Sequence, residues 1–216
     1  MCKFAHRKRV YPDMKLIIMT LPTFFVEEDK ILTSLFDEGL DNLHLYKPNS
    51  TPIYSERLLT LINSDYHSKI TVHEHFYLKE EYRLRGIHID DATTPVPQGY
   101  KGRLCRTCHS IDELKEAKKK SDYVFLNNVF DNMNENKGND MPPAMDNLRE
   151  AARKGLIDKK VYALGGVNAD NANMAKELGF GGVVICEDLW DKFNIHRESD
   201  YKELINHFER LRKTIC

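Results

Sequence analysis

Short apolar runs alternate with amphipathic stretches along this chain, and the alternation repeats from end to end. The clearest unit is Lys159–Glu187, KKVYALGGVNADNANMAKELGFGGVVICE, in which Val161–Leu164 and Val183–Cys186 flank a helix's worth of residues. Both runs have strand length and glycine borders, so both predict buried strands. Between them Asn168 is placed to cap a helix that carries Ala172, Ala175 and Leu178 on one side and stops at Gly179. Such a strand–helix–strand unit joins parallel strands covered on both faces.

The same pattern predicts strands at Lys15–Thr20, Leu43–Lys47, Lys69–His73, Gly86–Asp90, Arg103–Thr107 and Tyr123–Leu126. Helices are predicted at Val26–Glu38, Ser55–Ile62, His75–Leu84, Met145–Lys154 and Tyr201–Arg212, and at Ser110–Lys119 with a capping box from Ser110 to Glu113. Pro95 and Pro97 break the stretch from Asp91 to Gly102, so the fourth helix is expected to be short or missing. About eight strand–helix repeats in this length predict a (β/α)8 TIM barrel. A doubly wound open sheet is the alternative, and the first strand lacks the G-x-G-x-x-G that would follow it there. Residues 1–13 are expected to form a ragged N-terminal leader and residues 14–216 the single barrel domain, with Met14 as an alternative start.

Composition narrows the class. With 216 residues, 41% hydrophobic and 30% charged, the chain suits one globular domain with a substantial core. A net charge of -1 argues against nucleic-acid binding through overall charge, and no apolar run is long enough to span a membrane. Five cysteines suit a reduced, cytoplasmic protein better than a disulfide scaffold, and self-association into a homo-oligomer is left open. Cys105-Arg-Thr-Cys-His109 matches the C-x-x-C-H haem-attachment pattern, but it falls on a strand with no export signal before it, so packing is the expectation.

In a TIM barrel the chemistry collects at the carboxyl ends of the strands. That rule selects Tyr46, Lys47, His73, Glu74, His75, Asp90, Asp91, Thr107, His109, Asn127, Asn128, Gly165, Gly166 and Glu187. The collection suits a small polar, phosphorylated ligand. Gly165-Gly166 can offer backbone N–H groups to a phosphate, or simply form a tight turn. The polar loop Asn127–Met141 follows the sixth strand, where a lid would sit. His44, His73 and His88 fall on adjacent strands, as interior hydrogen-bonding groups or as ligands of a zinc-like metal in a hydrolase.

Several segments fall in an order that resembles a known family. Leu43-His-Leu-Tyr-Lys is similar to Leu-Gln-Leu-Arg, Gly86-Ile-His-Ile to Gly-Val-His-Leu, and Thr107-Cys-His-Ser to Ser-x-His-Ser. Asp122-Tyr-Val-Phe and Val129-Phe130 fit the following strand and loop, and Ala163-Leu-Gly-Gly-Val is similar to Ala-Ile-Gly-Gly-Ile. Gly182-Val-Val-Ile is similar to Gly-Val-Ala-Val. Together these resemble the thiamine-phosphate synthase (thiamine phosphate pyrophosphorylase) and thiazole tautomerase family, from Lys15 onward. The resemblance implies coupling of an aminopyrimidine pyrophosphate to a thiazole phosphate with Mg²⁺, in thiamin biosynthesis. Among this chain's own residues His73 and His109 are the candidates for acid/base catalysis, and Lys137 stands where the family's catalytic lid lysine is expected. Tyr46, Lys47, His75, Thr107, Asn128, Gly165 and Gly166 would bind the phosphorylated substrate, with Glu74 and Asp91 as metal ligands. Where the family motifs read Asn-Asp-Arg and Gly-Gln-x-Asp, this chain reads His73-Glu74-His75 and Asp90-Asp91-Ala92-Thr93. The expectation is therefore a synthase-like barrel with a divergent site and an altered or lost reaction. A tautomerase-like or non-catalytic phosphate-ligand-binding barrel is the alternative, and a histidine-rich metal hydrolase the next.

Overall fold

In a computed structural model, the chain forms a closed barrel of eight parallel strands in sequence order, each paired with the next and β1 with β8. The structure describes residues 13–131, 144–193 and 198–216. The expected leader therefore falls almost wholly outside the described residues, as does Lys137.

The strands are β1 (Lys15–Met19), β2 (Leu43–Leu45), β3 (Ile70–Val72), β4 (Gly86–Ile89), β5 (Arg103–Cys108), β6 (Tyr123–Leu126), β7 (Val161–Ala163) and β8 (Gly182–Ile185). The helices are α1 (Glu28–Asp37), α2 (Pro52–Leu61), α3 (Leu78–Glu81), α4 (Leu114–Lys119), α5 (Met145–Arg153), α6 (Ala172–Leu178), α7 (Glu187–Trp190) and α8 (Glu198–Ile215). No helix joins β4 to β5, as the two prolines predict.

Several boundaries depart from the sequence pattern, with α2 starting three residues early and α8 extending three residues beyond the expected helix at each end. The helix expected over His75–Leu84 shrinks to α3, because His75 at φ 51 and Arg83 at φ 54 hold left-handed backbone at its two ends. The Ser110 hydroxyl and the His109 N–H both donate to Glu113, at 2.9 and 3.0 Å, yet the helix proper starts only at Leu114. Asn168 caps a turn, accepting from the N–H groups of Asp170 and Asn171, and α6 begins after it at Ala172. Gly179, at φ 88, ends α6 as expected.

Alternation along the strands sorts side chains into two cores. Outward residues such as Leu16, Ile18, Leu43, Leu45, Ile70, Val72, Val124 and Leu126 pack under the helices. Inward residues Ile17, Cys105, Tyr123, Phe125 and Val184 form a second cluster inside the barrel. Cys105 and Cys108, three positions apart, join different clusters on opposite faces of β5, so they cannot act as a dithiol. The barrel interior is also polar, because β2, β3 and β4 send His44, Thr71, His73 and His88 inward, all at most 5% exposed. Among the described residues no helix is long and apolar enough to cross a membrane.

Candidate active site

A cavity of about 620 Å³ opens at the carboxyl ends of the strands. Of the expected residues, Tyr46, Asp90, Thr107, His109, Asn127, Asn128, Gly165, Gly166 and Glu187 line it, joined by Asp131 and Asp191.

Its glycine wall has a definite local cause. Gly165 and Gly166 sit at φ 92 and 61, conformations that side chains resist. The loop after β6 presses on them: a Cβ at Gly166 would lie 2.4 Å from the Phe130 carbonyl oxygen, and one at Gly165 2.7 Å from Asn128 Cα. The Val129 and Phe130 N–H groups donate to the carbonyls of Leu164 and Gly165, locking this loop to the end of β7. The N–H groups of Gly165 and Gly166 find no acceptor among the described residues. The tight turn expected of Gly-Gly is therefore present as a close approach of two loops, and both glycines line the cavity.

Five expected site residues do not line the cavity: His73 lies below it, and Lys47, Glu74, His75 and Asp91 are engaged elsewhere. Lys47 follows the outward parity of β2 and is fully buried. Its Nζ donates to Glu28 at 2.6 Å and to the carbonyls of Leu21 and Thr23, both at 2.9 Å. Glu74 accepts the Lys47 N–H at 2.9 Å, and burial raises its carboxyl pKa. His75 turns its Nε2 to the Ser50 carbonyl at 2.9 Å. Asp91 closes a local turn by accepting from the N–H and hydroxyl of Thr93, and these bonds lower its pKa.

Below the cavity the inward histidines form a hydrogen-bonded group. His73 Nδ1 lies 2.8 Å from Asp90 Oδ2, and its Nε2 lies 2.8 Å from His44 Nδ1. His44 Nε2 meets the Tyr123 hydroxyl at 2.8 Å, which in turn accepts from Asn42 at 3.0 Å. His88 Nε2 bonds the Thr107 hydroxyl at 2.8 Å, leaving its buried Nδ1 without a partner. Burial holds His44 and His88 well below the usual imidazole range, and it pushes the Tyr123 phenol up.

Donor atoms of the three histidines lie within 4.8 Å of one another. Their arrangement nevertheless suits hydrogen bonding better than metal binding. The His73 and His88 rings stack at 4.1 Å and 13°, so their in-plane lone pairs run parallel rather than converge.

Sequence reasoning kept Asp90 and His44 outside the proposed catalytic set. Their strand parity was the available signal, since positions 44, 46, 71, 73 and 88 all face inward.

The sequence model described as "Thiamine monophosphate synthase" matches residues 55–189. A thiamine phosphate pyrophosphorylase from Bacteroides thetaiotaomicron is 48% identical, with a TM-score of 0.82 over 93% of this chain and 97% of that one. A thiamine phosphate pyrophosphorylase from Pyrococcus furiosus shares the fold at 19% identity, TM-score 0.71, over 94% and 95% of the two chains. A thiamine-phosphate synthase of Lysinibacillus sphaericus (strain C3-41) is 25% identical over 150 residues, 67% of this chain and 70% of that protein. Fold, matched segment and relatives agree: the chain belongs to the thiamine monophosphate synthase family.

Proposed function

We propose that this chain is a transferase of thiamin biosynthesis. It joins an aminopyrimidine pyrophosphate to a thiazole phosphate and releases pyrophosphate. The observation that carries the reading is the 48% identity to a thiamine phosphate pyrophosphorylase over nearly the whole of both chains. The glycine wall supports it, since two open backbone amides at Gly165 and Gly166 suit a phosphate group. Thr107, Asn128 and Tyr46 add hydroxyl and amide groups along the same wall.

Magnesium fits the chemistry of the rim but not the pair expected from the sequence. Glu74 and Asp91 lie off the cavity, whereas Asp131, Glu187 and Asp191 place carboxylates on its lining, the donor type a hard cation takes. A bound magnesium ion supplies positive charge to the leaving pyrophosphate. The amides of Gly165 and Gly166 hold the thiazole phosphate, and Tyr46 and Phe130 give the aromatic ligands a flat contact. The buried thiols of Cys105 and Cys108 accord with a reducing compartment such as the cytoplasm.

The test is incubation with both substrates and Mg²⁺, with mass-spectrometric detection of thiamine phosphate. Product that requires both substrates, and that falls with Lys137→Ala, supports the transferase. No product from either mixture overturns it.

A second reading, thiazole tautomerase-like proton transfer, is favoured by one observation. Asp90 lines the cavity with His73 hydrogen-bonded behind it, while no Lys or Arg lines it among the described residues. Isomerisation of a thiazole carboxylate phosphate without coupling selects this reading.

A further inference from the structure

We propose that Asp90 is a proton-transfer residue of the cavity, and that His73, His44 and Tyr123 are positioning residues that aim it. The inference rests on the tautomerase-like reading of the cavity given above, and it adds the group that moves a proton on that ligand.

Direction in the hydrogen-bonded column carries the argument. The Asn42 amide nitrogen can only donate, and it donates to the Tyr123 oxygen at 3.0 Å. Because the Tyr123 hydroxyl also meets Thr71 and Cys105, the acceptor-only Asp90 carboxylate at the far end fixes the direction. Tyr123 therefore donates to His44 Nε2 at 2.8 Å. A neutral imidazole has one donor and one acceptor, so His44 must donate through Nδ1 to His73 Nε2, also at 2.8 Å. His73 in turn must donate through Nδ1 to Asp90 Oδ2 at 2.8 Å. Behind Asn42, Thr71 donates to the amide oxygen at 3.4 Å and completes the column. Burial keeps His44 neutral and Tyr123 protonated, as this direction requires.

A second, shorter arm reaches the same carboxylate. His88 Nε2 donates to the Thr107 hydroxyl at 2.8 Å, and that hydroxyl points to Asp90 Oδ1 at 3.5 Å. Oδ2 is thus tightly fixed while Oδ1 is loosely held. The Asp90 side chain is 42% exposed and lines the cavity, whereas that of His73 is 1% exposed. A column of otherwise buried polar groups therefore ends on one carboxylate oxygen that a ligand can reach. Apolar side chains would fill this interior at lower cost, and an unsatisfied buried network is expensive.

The step is an isomerisation. A C–H or N–H proton of the ligand's ring moves to Asp90 Oδ1, and the bonding pair stays on the ligand, delocalised over the ring. The carboxyl proton, free to exchange with solvent at the cavity, then goes to a different ring atom. No oxidant, reductant or further reactant enters, and His73 keeps its own proton throughout.

Two readouts test this on the whole chain. In ¹⁵N imidazole spectra without ligand, His44 and His73 should be Nδ1–H tautomers and His88 the Nε2–H tautomer. Tyr123→Phe should release His44 from that tautomer while the melting temperature shows a folded protein. His44→Gln, which breaks the column at the next link, serves if Tyr123→Phe does not fold. With thiazole carboxylate phosphate in D₂O, wild type should exchange ring deuterium. Asp90→Asn should slow exchange by about 100-fold or more, and Tyr123→Phe by an intermediate factor. Nε2–H tautomers at His44 and His73 overturn the column whatever the ligand. Undiminished exchange in Asp90→Asn, or none in wild type with ligand bound, overturns the role of Asp90. Failure of the ligand to bind by calorimetry counts instead against the proposed function, and the imidazole spectra still decide the column.

Discussion

At the scale of single residues, two side chains show how burial redirects chemistry. Lys47 reads in sequence as a cation for an anionic ligand, yet its Nζ is shut in with Glu28 and two carbonyls, beneath the Phe24 ring at 4.5 Å. Removing one member of a buried ion pair leaves the other charge uncompensated. Lys47→Met should therefore cost about 3–5 kcal/mol in chemical denaturation, and adding Glu28→Leu should recover most of the loss. The pair also sets a pH dependence. Burial lifts the Glu28 carboxyl from 4.5 to about 7 against the pull of Lys47. The folded state then binds this proton more tightly than the unfolded chain does. Its contribution to stability is full below about 4.5 and is lost as pH climbs through about 7. Glu28→Gln should flatten that decline in denaturation midpoints taken on either side of neutrality. Gly166 makes the complementary case, where absence of a side chain matters. Gly166→Ala meets the Phe130 carbonyl at 2.4 Å in left-handed backbone, and should lose at least about 1 kcal/mol together with phosphate-ligand affinity. Wild-type affinity in that variant would remove the amides from the binding account.

At the scale of elements, the helices divide by what they cover. The last helix, α8, lays Leu204, Phe208, Leu211 and Ile215 against the rest of the molecule, all fully buried. Its sequence showed the apolar stripe but not its length, because Glu198 and Ser199 carry no apolar signal. Phe208→Ala should cost about 3–5 kcal/mol, measured as a drop in unfolding free energy, since the cavity it leaves lies between packed helices. A loss under about 1 kcal/mol would mean that α8 is dispensable to the barrel. The short helix α7 instead belongs to the mouth. It brings Glu187 and Asp188 to the cavity, and His207 of α8 holds the Asp188 carboxylate at 2.7 Å. No sequence signal announced that contact, which joins residues from two elements.

At the scale of the whole molecule, closure of the sheet unites the parts. The Trp190 indole N–H donates to the Met19 carbonyl at 2.8 Å, tying the chain after β8 to the end of β1 across the closing seam. Trp190 is the chain's single tryptophan, so its fluorescence reports on closure. Fluorescence and far-ultraviolet circular dichroism should change together through urea unfolding, and separated transitions would mean that the seam opens first. Closure also explains what could be read beforehand. Eight strands, their parallel direction and their two alternating faces followed from short apolar runs, glycine borders and two-residue alternation, all of which are local properties. The inward placement of His44, His73 and His88 was legible only with the family resemblance, which says which face of each strand points inside. Contacts across the barrel were not. His44 on β2 meets Tyr123 on β6, residues 79 apart in sequence, only because the sheet curls back on itself. Nor could periodicity reveal that Lys47 is spent on Glu28 or that the loop after β6 rests on Gly166, because those contacts depend on how loops fold over the mouth. The sequence by itself determined the repeating unit and which residues of a strand share a face. Tertiary structure alone decided which polar groups pair, because hydrogen bonds form between neighbours in space and the barrel makes neighbours of residues far apart in the chain.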